Sequence, residues 1–169
     1  MNIFATDPDP YVCARNLDDK RVVKMCLETA QLISTAATSF FAFEDIFDAP
    51  LLKPAFQNHP CSVWARSSLV NFKWLSRHGE ALCDTYRNTY DREHKCAPLF
   101  QYFRWPMDTP QPESFVNCAA NASVGVNFKD VPDTHEAYRR YLVARWARDK
   151  RRPTWQRRNW PIFVLDYAT

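Results

Sequence analysis

The sequence predicts an all-α protein, a single compact helical domain that spans residues 1–169. Three observations support this prediction. Apolar residues recur at helical spacing in several long stretches. The chain contains only two glycines, Gly79 and Gly125, which is too few for the tight turns of a β-sandwich. Its 169 residues, 46% of them hydrophobic, suit one domain with its own core.

The first long helix is predicted to begin after Asp18, which is typical of an N-cap. Leu17 before this cap and Val22 within the helix can form a hydrophobic staple. Helical spacing then continues for about twenty residues. A shorter helical turn precedes it, with Asp9 as its cap and Pro10 at its first position.

A second long helix is predicted to begin at Pro60, after a proline-rich loop over 48–60, and to continue without a break to about Tyr90. Gly79 within it costs about 1 kcal/mol relative to alanine. The predicted buried stripe of this helix consists of Val63, Trp64, Leu75, Leu82, Cys83, Tyr86 and Tyr90.

The region 97–132 contains five prolines and is predicted to be a long irregular loop with a short helix near Leu99 to Phe103. Asp133 and Glu136 then form a start typical of a capping box for a last helix. The apolar side of that helix consists of Tyr138, Tyr141, Leu142 and Trp146. After Pro153 the chain becomes a basic, aromatic and irregular C-terminal tail.

Composition excludes several classes of protein. No G-x-G-x-x-G or Walker A pattern occurs, which excludes the glycine-rich phosphate loops of nucleotide-binding domains. No apolar run approaches about 18 residues, so no membrane association is expected. The N-terminus lacks the features of a signal peptide, and the six cysteines include no C-x-x-C pair. We therefore expect reduced thiols in a cytoplasmic protein.

Positive charge is concentrated near the C-terminus. From 135 to 160 there are nine Lys or Arg residues against two acids, whereas residues 1–134 hold 13 bases and 16 acids. A basic end on a slightly acidic body predicts a polyanion partner, double-stranded DNA. Arginine forks grip phosphates and indoles stack on bases, although a protein surface also selects Trp and Arg. The predicted DNA contacts are Arg139, Arg140, Arg151, Arg152, Trp155, Arg157 and Arg158.

One face of the first long helix carries a line of polar side chains, whose spacings of 3, 4, 3 and 4 place them together. Its members are Arg21, Lys24, Glu28, Gln31 and Thr35. A carboxylate between two cations stays ionised at neutral pH and can accept a proton in a desolvated site. The alternative is an ordinary solvated helix face.

A second polar cluster is the loop Asn58-His59-Pro60-Cys61, which leads into a helix N-terminus. Free amide groups there favour anions, and His59 can donate to a phosphate or act as an acid. The following helix adds further candidates for substrate binding, namely Trp64, Arg66, Asn71 and Trp74. The alternative is a capping loop with one surface histidine.

Two His-x-Cys elements, at His59 and Cys61 and at His94 and Cys96, supply enough ligands for one tetrahedral zinc. Their internal spacing is not that of a familiar zinc knuckle. We therefore expect a protein without a metal or another cofactor.

Three stretches resemble the phage endonuclease V family, the pyrimidine-dimer DNA glycosylases. They are Asp19-Lys20-Arg21-Val22-Val23-Lys24-Met25-Cys26-Leu27-Glu28, the helix after His59-Pro60, and Arg152-Pro153-Thr154-Trp155. The resemblance implies an all-helical domain that kinks the duplex and flips out a base. It also implies a catalytic pair, an N-terminal α-amine and a glutamate that Glu28 matches. The family's N-terminal threonine is absent, because residue 2 is Asn2.

Met1 before a bulky residue is normally retained, so its own amine is the one available to this chain. The closest similarity is to a phage-borne branch that begins Met-Asn-Ile-Phe, which would place the protein in the host cytoplasm. Phages with hypermodified thymine attach amino acids to 5-phosphomethyl-deoxyuridine in DNA. A scaffold that keeps its carboxylate but has an altered N-terminus suits such a transfer.

The leading expectation is thus a base-flipping enzyme that transfers an amino acid, for example glycine, to a C5-substituted pyrimidine in duplex DNA. Arg21 and Lys24 would hold the leaving phosphate, Glu28 would accept the amine proton, and His59 would act as an acid. The substrate-binding set adds Asn2, Gln31 and Asn58 to the helix residues named above. The alternatives are a pyrimidine-dimer glycosylase with AP lyase activity and a non-enzymatic module that binds DNA or protein.

Overall fold

The computed structural model describes residues 1–167 and confirms the all-α prediction. Its α-helices are α1 Pro10–Asn16, α2 Asp19–Ala37, α3 Pro60–Ser67, α4 Leu69–Tyr90, α5 Ala97–Tyr102 and α6 Thr134–Trp146. Short 3-10 turns occur at Phe43–Asp45, Ala122–Val124 and Ile162–Tyr167. None of the helices in this part of the chain combines the length and the apolar character that crossing a membrane requires.

Helices α1 and α2 begin where the sequence predicts, but only the first of the two predicted caps makes its hydrogen bonds. The Asp9 carboxylate accepts hydrogen bonds from the backbone amides of Tyr11 and Val12. Asp18 occupies the N-cap position of α2, but its side chain makes no capping hydrogen bond. The Asp18 carboxylate instead accepts from the Trp146 indole at 2.7 Å, which joins α2 to α6. Leu17 and Val22, the predicted staple, are both fully buried.

The prediction of one continuous helix from Pro60 to Tyr90 is wrong, because the chain breaks at Ser68. This residue is extended, with φ −153° and ψ 152°, and its hydroxyl accepts from the Asn71 amide. Serine is a favoured N-cap, so the break satisfies an otherwise unpaired amide at the start of α4. It also reorients α3, whose Val63 is 45% exposed rather than buried.

The core lies where α2 packs on α4, with α1 and α3 on the flanks and α5 across α4. The large side chains that it encloses completely include Leu32 and Ile33 from α2 and Phe72 and Leu75 from α4. Burial of apolar side chains of this size supplies the main stabilisation of the fold, roughly 1.5–3 kcal/mol each.

The proline-rich region after α5 contains one small regular element. Strands β1 Ala120–Asn121 and β2 Val126–Asn127 pair antiparallel around a turn that ends at Gly125, whose φ is +65°. The Tyr138 hydroxyl donates to the Val116 carbonyl at 2.9 Å and accepts from the Cys118 amide at 3.1 Å. This tyrosine of α6 therefore holds the irregular segment in place.

The C-terminal tail is docked on the start of α2. The Asp19 amide donates to the Thr154 carbonyl at 2.9 Å, and its carboxylate accepts from the Thr154 hydroxyl at 2.7 Å. Arg158 pairs with the same carboxylate at 2.8 Å. Trp155 meets Trp146 edge to face, with ring centroids 5.0 Å apart. The tail is irregular, as predicted, but these contacts make it part of the folded domain.

Gly79 allows the Phe100 ring to pack closely against α4, although glycine has a low helix propensity. Because a β-carbon at this position would overlap the Phe100 ring, Gly79→Ala is expected to lower the free energy of unfolding by about 1–3 kcal/mol. Helix propensity alone predicts a gain of about 1 kcal/mol. Urea unfolding of Gly79→Ala, with and without Phe100→Leu to make room, measures the difference. A more stable Gly79→Ala protein would contradict the close contact.

Candidate active site

Glu28 faces a cavity of about 300 Å³ and is 14% exposed. The middle of α2, the N-terminus, the start of α3, and the segment around β1 and β2 form its walls. The lining residues are Met1, Asn2, Phe4, Lys24, Glu28, His59, Pro60, Cys118, Ala120, Asn121, Lys129 and Tyr141. The volume is at the lower end of that of small-molecule pockets.

Two cations flank the Glu28 carboxylate, but only one of them is the residue that the helix spacing predicts. Lys24 Nζ lies 3.1 Å from Glu28 Oε1, one helical turn away. The second cation is the α-amine of Met1, 3.9 Å from Glu28 Oε2. The backbone amide of Asn2 also donates to Oε2 at 3.2 Å. An amine and a carboxylate thus meet inside a cavity.

Asn2 fixes the position of the N-terminus. Its side chain is buried, and Oδ1 accepts from the amides of Ile3 at 2.8 Å and Phe4 at 3.2 Å. Its Nδ2 donates to the Cys118 carbonyl at 3.2 Å. Because these bonds use the side-chain oxygen and one amide donor, Asn2 acts in this structure mainly as an anchor for Met1.

His59 lines the cavity and also caps α3. Its Nδ1 accepts from the Cys61 amide at 3.1 Å, so the neutral ring carries its proton on Nε2. Burial lowers the pKa of His59, and the charge of the N-terminal amine lowers it further. At neutral pH the ring is therefore a neutral hydrogen-bond donor at Nε2 rather than the charged acid that the sequence suggested.

Two thiols lie beside His59. Cys61 Sγ donates to Cys118 Sγ at a separation of 3.7 Å. This hydrogen bond, together with the positive charges of Lys129 and the N-terminus, lowers the pKa of Cys118 to about 7, against the effect of burial. The same pairing, and then burial, raise the pKa of Cys61. One thiolate is thus readily formed at the cavity wall.

The two His-x-Cys elements do not meet, so the single four-ligand zinc site considered from the sequence is not formed. Each element joins cysteines from other parts of the chain. The donor atoms of His59, Cys61 and Cys118 lie within 4.8 Å of one another, and so do those of Cys26, Cys83 and His94. Both sets have the ligand types that zinc prefers.

Arg21 points away from the cavity, which corrects its predicted role beside Glu28. Its guanidinium pairs with Asp18 at 2.7 Å and with Asp149 at 2.9 Å, and the residue is buried. The spacing does place Arg21 on the same face of α2 as Lys24 and Glu28. Its partner Asp149, however, is too distant in sequence for a helical pattern to predict the pair.

Three of the four candidates from α3 and α4 that were predicted to bind substrate are core residues. The indoles of Trp64 and Trp74 donate to the carbonyls of Ser114 at 2.9 Å and of Pro8 at 2.6 Å. Asn71 donates to the Trp64 carbonyl at 2.9 Å, which ties α4 to α3. Their polar atoms are thus used within the fold, and none of the three lines the cavity.

The remaining substrate-binding candidates also lie outside the Glu28 cavity. Arg66 donates to the Gln57 carbonyl at 2.6 Å and so braces the loop before α3. Asn58 is exposed in that loop, and Gln31 is half-buried one turn beyond Glu28. Of the predicted site residues, the structure brings together Glu28, Lys24, His59 and Asn2.

Several cavity residues have no signal in the sequence. Cys118, Asn121 and Lys129 come from the irregular segment after α5, and the hairpin of β1 and β2 places them opposite α2. Tyr141 was predicted only as a core residue of α6, yet it lines the cavity and stacks on Phe4 at 5.9 Å. Their positions depend on contacts between distant parts of the chain.

The tail residues predicted to contact DNA fall into two groups. Trp155 and Arg158 are structural, because the indole donates to the Asn16 carbonyl and the guanidinium is 7% exposed against Asp19. Arg157 pairs with Asp91 at 2.7 Å on the surface. By contrast, Arg151 and Arg152 are exposed.

The two arginines of α6 in the predicted DNA set also have protein partners. Arg139 donates to the Thr6 carbonyl at 2.8 Å, and Arg140 pairs with Glu136 at 2.8 Å. DNA binding by any of these arginines remains a prediction, and Arg151 and Arg152 are its best-placed members.

A larger groove of about 760 Å³ lies between α6 and the tail. Its lining residues within the described part of the chain include aromatic and aliphatic side chains, two arginines and amides, but no carboxylate, thiol or imidazole. Groups that can move a proton or form a bond are instead assembled in the smaller Glu28 cavity.

A helical domain with an α-amine beside a half-buried carboxylate defines a class of small proteins whose cavity holds groups that can move a proton or form a bond. The comparison with protein families is consistent with this class. The model of the family described as pyrimidine dimer DNA glycosylase matches residues 1–103, about three fifths of the chain. The chain belongs to this family, which supports an enzyme that acts on DNA. Comparisons with curated proteins and with solved structures gave no match.

The exposed arginines of the tail predict a specific salt dependence. If Arg151 and Arg152 each neutralise one phosphate, replacing both by alanine reduces the slope of log K against log salt by about 1.8. Fluorescence anisotropy with a short duplex at several salt concentrations measures this slope. Lys53→Ala, an exposed lysine outside the tail, is the control and should leave the slope unchanged.

Arg158→Ala serves as a second control for the same measurement. Because it removes the partner of Asp19, it should reduce stability by roughly 3 kcal/mol rather than change the slope. An unchanged slope in the double variant would show that the tail does not contact DNA.

Proposed function

We propose that this protein is a base-flipping enzyme that receives a pyrimidine from duplex DNA in the Glu28 cavity. The observation that carries the proposal is the Glu28 carboxylate itself, 14% exposed and in contact with both Lys24 and the N-terminus. A base inside a duplex cannot reach such a recessed group, so it must leave the stack. Flipping costs a few kcal/mol, which contacts in the cavity and along the tail must offset.

The reaction that we propose is transfer of a free amino acid, for example glycine, to a 5-phosphomethyl-deoxyuridine. The amine lone pair forms a C–N bond with the exocyclic methylene carbon, while the C–O bond to the phosphate breaks and its electron pair leaves with inorganic phosphate. The proton lost by the amine goes to Glu28, a role that suits a desolvated carboxylate. No oxidant or reductant is needed.

The charge of the cavity supports a phosphorylated substrate. Among the described residues, the lining contains three cationic groups, Lys24, Lys129 and the Met1 amine, against one carboxylate, Glu28, and the Cys118 thiol, whose pKa is lowered to about 7. This excess favours a dianionic leaving group. In this proposal, Lys129 and the N-terminal amine hold the leaving phosphate, which is the role that the sequence predicts for Arg21. His59 adds a neutral Nε2–H donor at the same wall.

The geometry of the N-terminus supports an external amine as the nucleophile. Of the nitrogens of the N-terminal segment, the one closest to the Glu28 carboxylate is the Asn2 backbone amide, at 3.2 Å, and an amide is not nucleophilic. The Met1 amine lies farther away, at 3.9 Å, and its side chain is packed against the core. The position next to the carboxylate is therefore occupied by a backbone group that orients Glu28.

The transfer reaction predicts a product that can be measured directly. Duplex DNA containing 5-phosphomethyl-deoxyuridine, incubated with the protein and glycine and then digested, should yield an aminoacylated nucleoside by mass spectrometry. Glu28→Gln should slow its formation by about 100-fold, because the variant cannot accept the amine proton. Glu44→Gln changes an exposed glutamate outside the cavity and should retain the wild-type rate. If no amino acid yields a product with the wild-type protein, the transfer proposal is rejected.

A second candidate, pyrimidine-dimer glycosylase and AP lyase activity, is favoured by the salt bridge between the Met1 amine and Glu28. In that reaction the amine attacks the sugar C1′, the C1′–N bond to the base breaks, and an imine links Met1 to the sugar. Glu28 then accepts and returns protons.

Borohydride trapping tests the second candidate. With dimer-containing or abasic duplex DNA, the reduced imine should give a covalent protein–DNA adduct located on the Met1 peptide. Acetylation of the N-terminus should abolish it, since an amide cannot form the imine. Absence of an adduct on both substrates excludes this reaction.

A further inference from the structure

We infer that His59, Cys61 and Cys118 form a zinc site whose fourth coordination position opens into the Glu28 cavity. The three donor groups come from the start of α3 and from the segment before β1, and their ligand atoms lie within 4.8 Å of one another. Zinc binding does not depend on the transfer reaction, because it is measured without any DNA.

The sulfur geometry matches tetrahedral zinc. Two sulfurs that each lie about 2.3 Å from a tetrahedral zinc ion are about 3.8 Å apart. Cys61 Sγ and Cys118 Sγ are separated by 3.7 Å. The sulfurs can therefore accept the metal with little movement, once both thiol protons have been released.

The imidazole is held close to the two sulfurs by the fold. Because His59 Nδ1 accepts from the Cys61 amide, the ring is fixed against the first turn of α3, and the lone pair that can bind zinc is on Nδ1, where the metal would replace this amide hydrogen bond. Nε2 then keeps its proton, and a ring N–H that donates a hydrogen bond on the side away from the metal is the usual way in which proteins orient a histidine ligand.

The surroundings decide what kind of zinc site this is. Cys61 is fully buried, whereas His59 and Cys118 line the cavity that contains Glu28. Three protein ligands with one side open to a cavity are typical of catalytic rather than structural zinc. Lys129 and the Met1 amine also line this cavity. The open position faces the space that our proposal assigns to the leaving phosphate.

Cobalt(II) is the probe for this site, because its spectrum reports the ligands directly. The full-length reduced protein, freed of metal and then given one equivalent of cobalt, should show a thiolate-to-cobalt charge-transfer band and intense visible bands typical of tetrahedral coordination. Titration of zinc against these bands gives the affinity. Inorganic phosphate should shift the visible bands by occupying the fourth position.

Matched cysteine variants locate the metal. Cys118→Ser lies in an irregular, half-buried segment and should weaken the phosphate-sensitive cobalt binding by at least about tenfold. Cys26→Ser, from the second group of ligands, should retain it. Circular dichroism of the metal-free proteins shows that each variant is folded, and His59→Gln provides an independent loss of one ligand.

Each outcome of the cobalt experiment decides the inference. If the charge-transfer bands persist in both Cys118→Ser and His59→Gln, the metal lies elsewhere and the inferred zinc site is overturned. The same conclusion follows if the bands disappear in Cys26→Ser alone. Bands that require Cys118 but do not respond to phosphate show a closed structural site and overturn the open position. No cobalt binding by the reduced protein leaves a plain thiol pair, which refutes the zinc site while leaving the transfer assay unaffected.

Discussion

The fold depends on two adjacent buried carboxylates at the start of α2. Asp18 accepts from the Trp146 indole and pairs with Arg21, and Asp19 pairs with Arg158. Burial of a carboxylate costs several kcal/mol unless partners replace its water, so both aspartates fix the position of these partners. They are the contacts that join the start of α2 to α6 and the C-terminal tail. The family match ends at residue 103, and these two carboxylates attach residues beyond it to residues within it.

The orientation of α2 that results is what directs Glu28 into the cavity. From Asp19 the helix continues without interruption through Lys24 and Glu28, so fixing its first turn fixes the direction of both side chains. The N-terminus is positioned independently, through the Asn2 side chain. Phe4 follows in the left-handed region with φ 46°, a conformation that costs roughly 1–3 kcal/mol for a residue of this type. The hydrogen bond from its amide to Asn2 and its stacking on Tyr141 hold it there.

How much of the structure the sequence could predict depends on how far apart along the chain the interacting residues are. Helix positions, the caps Asp9 and Asp133, and the face that contains Lys24 and Glu28 follow from local spacing, and the structure confirms them. The break at Ser68 was missed because an apolar period continues across it. The role of Arg21 was missed because its partner Asp149 is 128 residues away.

The cavity wall opposite α2 could not be predicted for the same reason. Cys118 and Lys129 reach it only because the segment between α5 and α6 folds back, held by the Tyr138 hydroxyl. Prolines indicate that this segment is irregular, but irregular structure has no period from which a facing residue can be read. His59-Pro60-Cys61, which was considered from the sequence as half of a zinc site and not favoured, contains two of the three proposed zinc ligands but not Cys118.

The arginines of the basic tail fall into two groups that the sequence could not separate, those paired within the fold and those exposed. The sequence predicts that these arginines together contact DNA. In the structure, however, Arg158 forms an ion pair with Asp19. Asp149, just before the tail, forms an ion pair with Arg21. The chain between Asp149 and Arg158 is consequently fixed at both ends on α2, with Arg151 and Arg152 exposed between them. Preorganised arginines lose less conformational entropy on binding than those of a free tail. Phosphates that bind there would be positioned relative to the same helix that carries Glu28, so in our proposal DNA binding and placement of the flipped base share one rigid element.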